Sequence, residues 1–185
     1  MAVVDVLLGS ITVSICLLAV TIADAPIAST VGIVALVPAA AFDIHHQRLP
    51  DRMVAAAAAS LVLAGVAERI IGTRLSSASI TDVAVGVLAL AGPLLAVNLI
   101  SPAAMGFGDV KAGVVLGAAL GLGTPATTPP SSLPIPTTAL VGLMAACALG
   151  AAVGLLRRRR HLPFGPALVL GAAIALCITP EVFGR

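Results

Sequence analysis

The chain has no tryptophan and no tyrosine, and only four phenylalanines in 185 residues. The aromatic belt that marks both interfaces of many membrane proteins is therefore missing, and cannot be used to locate span ends. Charge is scarce too, since Asp, Glu, Lys and Arg make up 10% of the residues. A soluble domain carries about 25%, so this chain lacks the polar surface to cover itself in water. Cys16, Cys147 and Cys177 stand alone in apolar runs, with no C-x-x-C pair. Neither a zinc site nor a disulfide framework is indicated, and all three read as small buried hydrophobes. No internal repeat is visible, and no polar stretch is long enough to make a soluble domain.

What remains is mostly hydrocarbon: 59% of residues are hydrophobic, and the mean hydropathy is +1.16. Seven apolar segments stand out, at residues 3–23, 27–42, 53–71, 80–100, 110–123, 138–156 and 163–178. A span needs roughly 20 apolar residues. The expected fold is therefore all-α, a polytopic membrane helix bundle of six or seven transmembrane helices in one domain over residues 1–185. The first segment lacks the basic start of a signal peptide and further spans follow, so it reads as a retained helix. The Pro/Ser/Thr stretch "TPATTPPSSLPIPT" between the fifth and sixth segments reads as a solvated loop.

The basic residues give the orientation. With Arg48 and Arg52 inside and sides alternating, Lys111 and the run Arg157–Arg160 also fall inside; Arg69, Arg74 and Arg185 fall outside. This satisfies the positive-inside rule with the N-terminus inside and the C-terminus outside. The arginine run is then a topology anchor, and nothing points to nucleic acid. Asp24, near Pro26, reads as an outside turn. Asp82 reads as a helix cap, and Glu68 and Arg69 as side chains reaching for the outer interface.

Two acids interrupt this pattern on the inside face. Asp43 closes the second segment in "AAAFDIHHQRLPDRM", and Asp109 follows the fourth in "MGFGDVKAG". Ionisable groups near the membrane centre cost about 3 kcal/mol or more, so their placement needs a reason. Taken singly, Asp43 is a helix end at the interface and Asp109 an N-cap. Taken as a pair, one acid stays protonated while the other is charged. Such a pair activates a water between them for attack on a peptide carbonyl, without a covalent intermediate. Gly106 and Gly108 allow a sharp bend and the close approach of an extended substrate. The nucleotide motifs fail on spacing, because Lys111 stands where a third glycine would be, and alanine follows it in place of Ser or Thr. His45 and His46 are adjacent, with no third ligand evident, so no metal or cofactor is expected. Gly113, Gly117 and Gly121 recur every fourth residue, a pattern that allows close helix packing.

Three stretches together resemble the type IV prepilin leader peptidases, membrane aspartyl proteases of the GxGD type. They are Asp43 with "IHHQRLPD", then "GFGDVK", then "LPFGPALVLGA" from Leu162. The resemblance implies that Asp43 and Asp109 are the catalytic pair. It implies that Arg48, Leu49 and Pro50 shape the loop after the first acid. Gly106, Gly108 and Lys111 would shape the second site, while Phe164, Gly165 and Pro166 line or brace the cleft. The implied substrate is a prepilin-like, membrane-anchored precursor cut at its cytoplasmic leader, usually after a glycine, by an enzyme embedded in the cytoplasmic membrane. The paired-cysteine domain of larger members, linked to methyl transfer, has no counterpart here, so the chain resembles the short forms. Two rival classes are a small proton- or cation-coupled transporter and a non-catalytic pilus assembly subunit. The transporter predicts further acids or amides at mid-depth, and the spans hold almost none, Asn98 near the inner end of the fourth being the only clear one. The assembly subunit leaves both acids without a purpose.

Overall fold

The computed structural model describes residues 27–46, 49–71, 79–102, 105–123, 137–157 and 164–183, and within these the chain is six α-helices with no strand. They are α1 (Ile27–His46), α2 (Asp51–Ile71), α3 (Ile80–Ile100), α4 (Phe107–Gly123), α5 (Thr137–Arg157) and α6 (Gly165–Phe183). The expected first segment lies outside the described residues, as do the Pro/Ser/Thr stretch up to its last residue, Thr137, which opens α5, and Arg48, Asp24, Cys16 and Arg158–Arg160.

The helices pack into a bundle with α4 at its centre, touching all five others, while α1 packs against α2, α4 and α6. Ala28, Ile33, Leu36, Val37, Ala39 and Ala40 of α1 are all buried there. Pro38 stands inside α1 and Pro93 inside α3, which membrane helices tolerate when neighbours re-satisfy the freed backbone. The tightest pairing is α3 on α4. A Cβ built on Gly117 would lie 2.6 Å from the Gly86 carbonyl oxygen, and one on Gly121 2.5 Å from that of Asp82. The two backbones therefore touch along the glycine pattern, which serves as a packing seam.

The start of α3 follows from its sequence. Ser79 caps it, with the hydroxyl accepting from the Thr81 and Asp82 N–H groups, and Asp82 reaches back to the Ser79 N–H at 2.8 Å. This reciprocal box satisfies donors that a helix start leaves open.

Glu68 behaves otherwise than its neighbour Arg69. It is 5% exposed, and its carboxylate accepts from the Ile27 N–H at 2.7 Å and the Ala28 N–H at 3.1 Å. The expectation that it reaches for the interface is corrected. The open N–H groups at the start of α1 lie beside it, and they hold a carboxylate better than a membrane surface does. Cys147 is also corrected, being exposed on α5, while Cys177 is half-buried. An apolar thiol can face outward where the surroundings are hydrocarbon.

Among the described residues, α2 and α3 are long and apolar enough to cross a membrane. They turn Val62, Leu63, Val66, Ile70 and Ile71, and Leu88, Leu99 and Ile100, away from the protein. Shorter apolar stretches lie in the other helices, at Ile27–Asp43, Ala139–Val153 and Gly165–Cys177.

Candidate active site

Asp43 sits in the last full turn of α1, which continues to His46 instead of closing at residue 42. Its side chain is buried, at 5% exposure. The Gly165 N–H, at the start of α6, donates to its Oδ2 at 3.2 Å. The residue must be small there, because a Cβ on Gly165 would come 3.0 Å from the same oxygen. Phe164 occupies the cap position of α6, its carbonyl accepting from the Leu168 N–H at 3.0 Å. Its ring lies against Gly150 of α5, where a Cβ would meet it at 3.0 Å. Phe164 thus braces α6 against α5. Pro166 fits the first turn because its missing N–H has no helical partner there.

Asp109 comes from the opposite direction, in the first turn of α4. It is not the N-cap. Gly106 precedes the helix, and its carbonyl accepts from the Asp109 N–H at 3.1 Å. The carboxylate therefore reaches back toward Gly106, where a Cβ would lie 3.8 Å from Oδ2.

Leu49 and Gly108 join the two acid-bearing stretches, since a Cβ on Gly108 would lie 2.9 Å from that of Leu49. Pro50 caps α2, its carbonyl accepting from the Met53 N–H at 3.0 Å and the Val54 N–H at 3.3 Å. A second link runs from Lys111, whose Nζ lies 2.7 Å from Asp51 Oδ1 and 5.3 Å from the centroid of the Phe107 ring. Asp51 was not singled out by sequence. Its partner is the chain's only lysine, 60 residues away, so no local pattern marks it.

Asp43 closes the apolar stretch of α1 and Asp109 stands just before residue 110, so both lie at helix ends. The Asp109 carboxyl is pushed up to about 6, first by burial and then by the negative charge of Asp43, against a Gly106 N–H hydrogen bond that lowers it. Burial also raises Asp43, opposed by the Gly165 N–H. The charge of Asp43 thus reaches Asp109 from a separate helix. Arg48 lies outside the described residues, and so do the side chains of His45 and His46.

The sequence model of the type IV leader peptidase family matches residues 30–155. The chain belongs to the type IV leader peptidase family. It is accordingly a peptidase, a hydrolase of the type IV leader kind, and a membrane protein. The matched residues include both acids and end before Phe164, so the contact between Gly165 and Asp43 is contributed by the fold beyond that match. No curated protein and no solved structure matches the chain.

Proposed function

We propose that this leader peptidase is an aspartyl endopeptidase that removes the cytoplasmic leader of prepilin-like, membrane-anchored precursors, with Asp43 and Asp109 as its catalytic pair. One observation carries the reading. Two buried or half-buried carboxylates, on helices far apart in sequence, lie close enough for the charge of one to raise the other. A fold gains nothing in stability from such like-charge crowding, whereas water activation needs it.

The roles divide by surroundings. Asp43 is raised by burial but accepts the N–H at the positive end of α6, and that contact makes it the acid of the pair that ionises first, as the base that takes a proton from water. Asp109, pushed toward the protonated form by burial and by Asp43, donates to the substrate carbonyl as it becomes tetrahedral. The proton taken up by Asp43 passes to the leaving amine as the peptide bond breaks, and Asp109 recovers its own from the collapsing diol. Lys111, Leu49, Pro50, Gly106, Gly108 and Gly165 hold these two carboxylates in register. Neither a metal nor a cofactor enters the scheme.

Several features of setting belong to the same proposal. The chain is a single multi-pass domain of the cytoplasmic membrane, with its N-terminus inside and the pair at the cytoplasmic face. The basic residues Arg52, Lys111 and Arg157 share that face. The scissile bond follows a glycine, whose lack of a side chain lets backbone reach backbone beside Gly106 and Gly108.

The test is co-expression with a prepilin-like precursor, read by gel shift and N-terminal mass. Wild type should release a defined leader, and Asp43→Asn and Asp109→Asn, present in equal amount in the membrane, should release none. Equal processing by all three rules out the aspartyl mechanism.

A further inference from the structure

Asn98 is the one side-chain amide in the long apolar helix α3, and the roles above leave it unused. Its Nδ2 donates to the Met105 carbonyl at 2.7 Å, in a half-buried setting. The chain between them leaves α3 at Ser101, whose N–H still bonds the Val97 carbonyl at 2.9 Å, and enters α4 at Phe107. Met105 adjoins Gly106, which both accepts from the Asp109 N–H and approaches its carboxylate.

We propose that Asn98 is a positioning residue whose amide clasps Met105 and so fixes the backbone at Gly106 against which the Asp109 carboxylate is set. An amide in an apolar helix is costly unless it is hydrogen-bonded. Here its partner is a carbonyl in the connection between two helices, outside any helical ladder. The bond closes the α3–α4 connection at the one point where a small shift would be passed directly to an acid. The proposal rests on the reading of Asp43 and Asp109 as the catalytic pair, but its physical content is separable from it.

The experiment follows the Asp109 carboxyl carbon by NMR in detergent micelles, with carbon-13 aspartate and the signal assigned by its loss in Asp109→Asn. Wild type is compared with Asn98→Leu, Asn98→Gln and the distant control Ser60→Ala, which removes a local bond to Ala56. Freeing Gly106 weakens its N–H bond to the carboxylate, so Asn98→Leu should raise the Asp109 midpoint by about half to one unit. Asn98→Gln, which keeps an amide, should move it less, and Ser60→Ala not at all. Should Asn98→Leu fail to fold, Asn98→Ala removes the amide without adding bulk and carries the same expectation. In the processing assay kcat should fall on the order of ten-fold with KM little changed. An Asp109 midpoint unmoved in a folded Asn98 variant overturns the proposal, whatever the processing assay gives. A midpoint that moves when even wild type cuts no precursor upholds it and counts instead against the proposed function.

Discussion

Lys111 Nζ and Asp51 Oδ1 lie 2.7 Å apart and join the early part of α4 to the first turn of α2. Their side chains are 39% and 72% exposed, so solvent weakens the pair to less than about 1 kcal/mol. Its value is therefore positional. Lys111→Met and Asp51→Asn should each cost about 1 kcal/mol of stability or less. Each should still slow precursor cleavage several-fold. Thermal unfolding run beside the cleavage assay checks both, and a large loss of stability would make the pair structural instead.

Gly165→Ala places a Cβ 3.0 Å from Asp43 Oδ2. Gly165 opens α6, where the interior helix preference for alanine counts for little, so the melting temperature should nearly hold. Cleavage should nevertheless fall about ten-fold, because the carboxylate must move a few tenths of an ångström. The combination of a stable protein and a slow enzyme is what the assays should find.

The Asp109 carboxyl stands at about 6 in the fold against an ordinary 3.8. The folded protein holds this proton more tightly than the unfolded chain does. The resulting stability is full below the ordinary value and is lost as pH rises through about 6. Wild type should therefore lose stability relative to Asp109→Asn between about pH 4 and pH 7. Melting curves in micelles across that range decide it, and parallel curves would contradict it. Cleavage by wild type should be bell-shaped in pH, with apparent values that belong to the pair and not to either acid alone.

Glu68→Ala strips the acceptor from the Ile27 and Ala28 N–H groups. The expected cost is about 2 kcal/mol. This contact lies at the other end of α1 from Asp43, so cleavage per folded molecule should be unchanged. Unfolding and specific activity measured on the same preparation separate the two effects.

Much of this was legible in the sequence because it depends on short-range rules. The span expected at residues 80–100 is α3 as found, since a capping serine and a long apolar run define it without help. Asp43 and Asp109 could be paired from sequence because two expected spans lie between them, and the effect of the Asp43 charge on Asp109 agrees with that pairing. The ends of α1 and α4 were less so. Each helix extends by a turn past its apolar run, because partners on other helices, such as the Gly165 N–H, sustain polar residues that hydropathy assigns to loops. Glu68 and Asp51 were missed for the same reason. Their partners are 40 or more residues away, and no local pattern announces them.

The backbone contact between α3 and α4 at Gly86, Gly117 and Gly121 changes how substitutions should be weighed across this protein. In a water-soluble core, harm comes chiefly from truncation, which opens a void. Here the outward surroundings are as oily as a leucine side chain, so little is gained by burying large groups, and cohesion depends on how nearly two backbones approach. One added methyl at Gly117 holds the helices apart along several turns, while trimming an outward leucine merely trades protein for lipid. Variation in this chain should thus be tolerated where large residues face outward and refused where residues are smallest.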